Sequence, residues 1–245
     1  MALPKFNDIP QYELTIPSTK NKVSYRPFLV KEQKVLLIAL ESQDEKQVLN
    51  AIMNTIESCI LDPIDVKKLS TFDVEYIFIQ IRTKSAGETS DIGLACSNAD
   101  CDHTNKVSVK LEDIKIDLPN EIKSIKINDQ YTLVLKYPNY QELLNEVDLN
   151  DKSQVNQLYG LLTSCLGSLN TDEERISFLD ETKEEIEGFL NQLTTDQFAE
   201  VMSFANNLPK LKHDVSYKCE ECGNENIRTL EGLADFFQSP FLMTA

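Results

Sequence analysis

The chain has 245 residues, enough for one large domain or two small ones, and 41% of them are hydrophobic, which excludes a disordered protein. The formal net charge is −16, from 24 basic and 40 acidic residues, and it argues against phosphate binding as the main activity because counterion release needs a cationic surface. No run approaches the roughly 18–20 apolar residues of a membrane span, and the start of the chain lacks a secretory signal pattern, so we expect a globular protein whose thiols stay reduced.

The first 30 residues are predicted to form an arm followed by a β-hairpin. Apolar and polar side chains alternate over residues 12–16 and 23–26, as is typical of strands. Pro17 and Ser18 begin a turn between these two runs. Residues 1–10 show no such alternation, so we expect an arm with little structure of its own.

Three helices are predicted between residues 31 and 90, over residues 31–40, 45–59 and 71–84. In the second, apolar side chains recur at helical spacing and Cys59 continues their stripe, which predicts a buried thiol. The third is apolar on most sides, so we expect it to be the central buried helix. Ser70 and Asp73 have the spacing of a capping box at its start.

The region 115–210 is predicted to begin with strands and to continue with helices. Strands are expected over residues 115–119, 124–127, 131–137 and 176–178, where the pattern is extended or alternating. Helices are expected over residues 140–146, 152–166, 182–191 and 194–207. Thr182 and Thr194 each begin a capping box, and Cys165 lies in an apolar helix end, where a core role is expected.

Two close cysteine pairs are the most specific chemical signal in the chain. Cys96 and Cys101 follow one strand-like run and precede another, and Cys219 and Cys222 do the same near the end of the chain. Four thiolates carried by two hairpins predict a tetrahedral structural zinc site, split between residues 91–114 and 211–232. With all four positions filled by sulfur, no site remains for a catalytic water.

Other interpretations of these cysteines remain open from the sequence. The four residues could be unrelated free thiols, or they could form two labile disulfides. His103, two residues after Cys101, could replace one of the cysteines as a ligand.

Catalytic motifs are absent from the sequence. It contains no glycine-rich phosphate loop, no His-Glu-x-x-His pair and no nucleophile elbow. The only histidines are His103 and His213, each near a cysteine pair. The acidic runs 172–174 and 184–185 are typical of solvated helix starts. We therefore expect no enzymatic activity and no catalytic residues.

The C-terminal segment 233–245 is apolar for a chain terminus. We expect it either to pack on the domain or to bind a partner protein. The candidate partner-binding residues are Phe236, Phe237, Phe241 and Leu242.

The predicted fold class is α+β, a mixed helical body with short antiparallel hairpins and a split, zinc-ribbon-like site of four cysteines. Five regions follow from the patterns above. They are the N-terminal arm and hairpin (1–30), the N-terminal helical region (31–90), the split zinc-knuckle module (91–114 with 211–232), the inserted β-hairpin and helical region (115–210) and the apolar tail (233–245).

Several stretches of the sequence resemble the baseplate hub and hub-assembly proteins of T-even-like contractile-tailed phages. The similar blocks follow one another in family order, at residues 25–34, 69–76, 81–88, 208–213 and 230–237. The resemblance implies a protein needed to build the tail baseplate hub, as a hub subunit or a transient assembly chaperone. It implies no catalytic residues and does not bear on the metal site, which rests on cysteine spacing alone.

The leading functional hypothesis is therefore a non-enzymatic baseplate hub protein that acts through protein–protein contacts. Its expected partners are other phage hub proteins, and its expected location is the host cytoplasm during assembly or the virion baseplate. The alternative is a zinc-ribbon protein that binds nucleic acid or assists transcription, against which the acidic charge counts. A metal-dependent enzyme is a third possibility, which a fully occupied four-thiolate site would exclude.

Overall fold

A computed structural model describes residues 9–42, 44–116, 118, 123–146 and 153–236 of the chain. Helices and short antiparallel sheets are interspersed, which confirms the α+β fold class. The helices are α1 (Val30–Glu41), α2 (Glu45–Cys59), α3 (Thr71–Ala86), α4 (Tyr140–Glu146), α5 (Gln154–Cys165), α6 (Lys183–Leu190), α7 (Thr195–Asn206) and α8 (Gly232–Phe236). Among the described residues, no helix has the length and apolar character needed to cross a membrane.

The strands are short and pair in antiparallel fashion. They are β1 (Tyr12–Thr15), β2 (Lys22–Tyr25), β3 (Thr89–Ala95), β4 (Thr104–Lys110), β5 (Lys115–Ile116), β6 (Ser124–Lys126), β7 (Thr132–Leu135), β8 (Leu166–Asn170), β9 (Arg175–Ser177), β10 (Leu211–Lys218) and β11 (Glu225–Glu231). Their sheet orders are β1-β2, β3-β4, β11-β10-β5 and β6-β7-β8-β9.

The chain divides into two compact units, and the first is built from three separate stretches. It comprises Met1–Val66, Phe72–Leu118 and Lys210–Ala245, whereas the second comprises Lys67–Thr71 and Pro119–Pro209. The chain thus leaves the first unit after β5 and returns to it at β10.

The core of the first unit lies between helix α3 and the two cysteine-bearing hairpins. Ile79 of α3 packs there with apolar side chains of β3, β4, β10 and β11, and Phe236 of α8 completes the cluster. Alternate residues of β3 are buried, as expected for a strand with one face on a core. Helix α3 is buried on most sides, which confirms its predicted central position.

The N-terminal hairpin β1–β2 packs onto the helices of the first unit. Leu14, Val23 and Tyr25 are buried, and the backbone N–H of Arg26 donates to the Cys59 carbonyl over 3.0 Å. The Ser18 backbone N–H and hydroxyl donate to the Asp73 carboxylate over 2.9 and 2.5 Å. These contacts hold the hairpin against the start of α3.

The second unit is a four-stranded sheet with helices, and it has its own apolar core. Leu133 and Leu135 of β7 pack in that core with Leu162 of α5 and Val201 of α7. The predicted capping boxes at Thr182 and Thr194 are both present and start α6 and α7. Strand β8 was not predicted, because residue 166 was placed at the end of the preceding helix; that helix ends at Cys165 and a strand begins.

Candidate metal centre

Each cysteine pair lies in the loop that joins two antiparallel strands. Strand β3 ends at Ala95, directly before Cys96, and β4 begins three residues after Cys101. Strand β10 ends directly before Cys219, and β11 begins three residues after Cys222. The two predicted hairpins are therefore present, and both belong to the first unit.

Local hydrogen bonds shape the two loops that carry the cysteines. In the first loop, the Cys101 N–H donates to the Asn98 carbonyl over 3.0 Å, and the Asn98 N–H lies 3.5 Å from the Cys96 Sγ. In the second, Gly223 has a φ of 73°, and its N–H donates to the Cys219 carbonyl over 3.0 Å. That left-handed conformation favours glycine, which explains the residue directly after Cys222.

The four thiols form one cluster, in which all sulfur atoms lie within 4.8 Å of one another. The Sγ atoms of Cys96 and Cys222 are 3.6 Å apart, and those of Cys101 and Cys219 are 3.8 Å apart. Sulfurs at about 2.3 Å from a tetrahedral zinc ion lie about 3.8 Å from each other. The cluster of Cys96, Cys101, Cys219 and Cys222, here called the four-cysteine cluster, therefore has the size of a zinc site, while metal binding itself stays a prediction.

The pKa values of the Cys219 and Cys101 thiols are shifted in opposite directions. Backbone N–H donation from Cys222 and Glu221, against the effect of burial, lowers the pKa of the Cys219 thiol to about 6. The His103 N–H also lowers the pKa of Cys101, but desolvation and the neighbouring thiols outweigh it and raise that pKa to about 12. One thiolate thus suppresses ionisation of its neighbour, and a bound divalent cation would reverse this effect because metal ligands must be deprotonated.

The alternative ligand His103 and the two remaining cysteines lie outside the four-cysteine cluster. The His103 Nδ1 is 3.2 Å from a carboxylate oxygen of Glu221, on the loop of the other hairpin. Cys59 and Cys165 are fully buried, and burial raises the pKa of their thiols to about 11 and about 12. Low exposure and a raised pKa make both inert apolar side chains, as predicted.

The side chains that link the two hairpins to each other include Tyr217, Asn105 and Asn226, for which no role was predicted from the sequence. The Tyr217 hydroxyl donates to the Ala95 carbonyl over 2.7 Å. Asn105 and Asn226 are buried, and each accepts a hydrogen bond from the other hairpin. The only signal of the two asparagines in the sequence is that each lies four residues after the second cysteine of its own pair.

Both acidic runs were predicted to be solvated helix starts; residues 184–185 lie in the first turn of α6, whereas residues 172–174 lie in a turn and start no helix. The Glu185 carboxylate accepts from the backbone N–H and the hydroxyl of Thr182, which completes the capping box of α6. The Thr171 hydroxyl accepts from the backbone N–H groups of Glu173 and Glu174 in the turn between β8 and β9. Both runs are exposed to solvent.

Only one candidate partner-binding residue, Phe236, lies among the described residues. Its side chain is fully buried in the core of the first unit, and its carbonyl accepts from the Ser90 hydroxyl over 3.0 Å. A partner therefore cannot contact this side chain in the present arrangement. Phe237, Phe241 and Leu242 lie outside the described residues, and their role in partner binding stays a prediction.

Comparison with known proteins identifies the family of this chain and a relative of similar length. The family described as T4 bacteriophage base plate protein matches residues 9–238. The chain is similar to the baseplate hub assembly protein gp26 of Enterobacteria phage T4, with 20% identity over 231 residues. That alignment covers 93% of this chain and 98% of the relative. No solved structure matches.

The matched residues include both cysteine-bearing hairpins and every helix described above, so the family assignment applies to both units. The blocks that resemble phage hub proteins in the sequence all lie within the match. On this evidence the chain belongs to the T4 bacteriophage base plate protein family.

Proposed function

We propose that this protein assists assembly of the phage baseplate hub through protein–protein contacts and catalyses no reaction. The observation that carries the proposal is the near full-length alignment with a baseplate hub assembly protein, which leaves no large region of either chain unmatched. The absence of catalytic motifs from the sequence agrees with it. The partners in this proposal are other baseplate hub proteins of the same phage.

The last part of the apolar tail, residues 237–245, is the contact segment in this proposal. Its residues follow directly after Phe236, whose buried side chain fixes the end of α8 in the first unit. Phe241 and Leu242 offer apolar area in a short, charge-free stretch, and such area drives association when a partner covers it.

The test is co-purification of the tagged full chain with hub proteins from infected cells. Deletion of residues 237–245 keeps Phe236 in the core, so the fold should be retained while hub proteins are lost from the purified fraction. The paired substitution Phe241→Ser with Leu242→Ser should have the same effect, and Thr244→Ala serves as the matched control. Undiminished recovery of hub proteins by a folded deletion variant would contradict the tail as the contact segment.

A second measurement separates a hub subunit from a transient assembly factor. Quantitative mass spectrometry compares the chain in purified virions and in infected-cell lysate. The assembly role predicts abundance in lysate and depletion from virions, whereas a fixed copy number per virion would identify a hub subunit.

The four-cysteine cluster is proposed to hold one structural zinc ion. The spacing of the sulfur atoms and the choice of four thiolate ligands support this, because soft sulfur ligands in a tetrahedral array suit zinc and leave no open position.

The loops around the cluster carry Asp100, Asp102, Glu220 and Glu221. These charges disfavour the nucleic-acid-binding alternative, which would predict tight DNA binding that weakens steeply with salt.

A further inference from the structure

The two cysteine-bearing hairpins are equivalent residue by residue in spite of their different loop lengths. In the first hairpin, Ala95 pairs with Thr104. Ala95 is the residue before the first cysteine, and Thr104 is the third residue after the second cysteine. In the second hairpin the equivalent pair is Lys218 with Glu225. The same relation therefore holds for a Cys-x4-Cys loop and for a Cys-x2-Cys loop.

The backbone bonds that close the two loops are equivalent as well. The Cys96 N–H donates to the carbonyl of His103 over 2.9 Å, and the Cys219 N–H donates to the carbonyl of Asn224 over 2.8 Å. Each acceptor lies two residues after the second cysteine of its pair. The two extra residues of the first loop are thus accommodated between its cysteines and do not displace the strands.

This equivalence extends to a reciprocal pair of buried asparagines. Asn105 and Asn226 are 2% and 3% exposed. The Glu220 N–H donates to the Asn105 Oδ1 over 2.9 Å, and the Ser97 N–H donates to the Asn226 Oδ1 over 2.8 Å. Each donor is the residue directly after the first cysteine of the opposite hairpin. Each asparagine therefore fixes the loop that carries the other pair of thiols.

Both amides are also oriented from within their own hairpins. The Asn226 Nδ2 donates to the Asn224 carbonyl over 2.9 Å, and the Asn105 Nδ2 donates to the Leu94 carbonyl over 3.4 Å. The Ser97 hydroxyl adds a second bond to the Asn226 Oδ1, over 2.7 Å. None of these bonds involves sulfur, so none of them requires a metal ion.

We propose that Asn105 and Asn226 are the positioning residues of the metal centre, which hold the two hairpins in a metal-ready arrangement before the ion binds. This inference rests on the proposed zinc site. Asn105 and Asn226 are suited to the role because each side chain is buried and is bonded within its own hairpin, which fixes the amide oxygen where it accepts from the opposite loop. The metal then binds to a nearly formed site, and it does not have to bring two separate hairpins together.

The first test measures amide hydrogen exchange in the full chain after zinc removal with a chelator under reducing conditions. The amides of Ser97 and Glu220 should remain protected in the metal-free wild-type protein. Asn105→Leu should expose the Glu220 amide and leave Ser97 protected, and Asn226→Leu should do the reverse. A general loss of stability would not produce this crossed pattern.

The second test measures zinc affinity by competition with a chelating dye. Each leucine variant should bind zinc roughly 10–100-fold more weakly than the wild type, the range typical of residues that orient metal ligands. Cobalt-substituted variants should keep the four-sulfur spectrum, because all four thiolates remain. Ser90→Ala is the matched control, since Ser90 is a buried polar residue of the same unit that bonds to Phe236 instead of the cysteine loops.

The outcomes separate this inference from the zinc proposal. Wild-type protein that binds zinc but loses Ser97 and Glu220 protection on metal removal would overturn the positioning role and leave the zinc site intact. A Ser90→Ala variant that loses as much zinc affinity as the asparagine variants would overturn it as well. Failure of the wild-type protein to bind either zinc or cobalt would overturn the zinc proposal, and the inference with it.

Discussion

Glu32 is a charged residue that is only 6% exposed, and its surroundings keep it ionised. Burial alone would raise its pKa. The Arg26 guanidinium, 2.9 Å away, and the Leu29 N–H, 2.8 Å away, outweigh burial and lower the pKa of Glu32 below its ordinary value. The ion pair joins the residue directly after β2 to the first turn of α1, within the first unit.

Replacement of Glu32 by glutamine should lower the free energy of unfolding at pH 7 by about 1.5–3 kcal/mol, the usual contribution of hydrogen bonds to a charged group. A folded-state pKa below the unfolded value stabilises the protein above the unfolded pKa, and this contribution disappears as the pH falls through the folded pKa. The difference between wild type and Glu32→Gln should therefore shrink as the pH falls below 4.5. Urea denaturation at several pH values measures it, and a pH-independent difference would contradict the assignment.

Asp73 shows what residue spacing can and cannot predict. The Ser-x-x-Asp spacing predicted a local helix cap at the start of α3. In the structure, the fully buried Asp73 carboxylate accepts two hydrogen bonds from Ser18, 55 residues earlier in the chain. A local motif identifies a residue able to accept hydrogen bonds at that position, but it carries no information about a donor that folding brings from elsewhere.

At the scale of elements, the sequence predicted helices and hairpins well because their signals are local. The bounds of α2 and α4 agree with the predicted ranges, and the capping boxes at Thr182 and Thr194 are confirmed. Strand β8 was missed because its residues continue the apolar character of α5 and carry no alternation strong enough to end the helix. Its place between β7 and β9 depends on pairing across the sheet, which no local pattern encodes.

Two glycines of the second unit should respond in opposite ways to alanine. A Cβ at Gly167 in β8 would lie 2.8 Å from the Val134 carbonyl oxygen of the neighbouring strand, so Gly167→Ala should destabilise the fold by about 1–3 kcal/mol. A Cβ at Gly188 in α6 would meet nothing within 4 Å, so Gly188→Ala should stabilise it by about 0.4–1 kcal/mol. Thermal unfolding of the two variants checks both signs, and equal shifts would refute the close approach at β8.

At the scale of the whole molecule, residue chemistry predicted which cysteines meet but not how they are held. Four thiols at knuckle spacing indicated one site across more than a hundred residues, and the structure brings the same four together. Asn105, Asn226 and Tyr217 could not be predicted in the same way. Asparagine and tyrosine are common in strands and turns, and their cross-hairpin partners are defined only by the docked fold.

Replacement of Cys219 by serine should abolish stoichiometric zinc binding. The melting temperature of the variant should therefore lie below that of the zinc-loaded wild type. The physical reason is that zinc bound only to the folded form adds its binding free energy to the free energy of unfolding. Because the bound ion closes the long loop between the two cysteine pairs, this contribution should amount to several kcal/mol. Metal analysis should find one zinc per wild-type chain and none in the variant. Cys165→Ala is the control, since it removes a buried thiol of the second unit and should keep the zinc.

The separation of 118 residues between Cys101 and Cys219 also sets an order of events during synthesis. The first hairpin leaves the ribosome with two of the four thiols, and at about 5–20 residues per second its counterpart follows many seconds later. Throughout that interval the second unit is being made, so the cluster is completed only after the intervening chain exists. An interrupted translation product would lack the second hairpin, so its Cys96–Cys101 loop would remain without the thiols of Cys219 and Cys222.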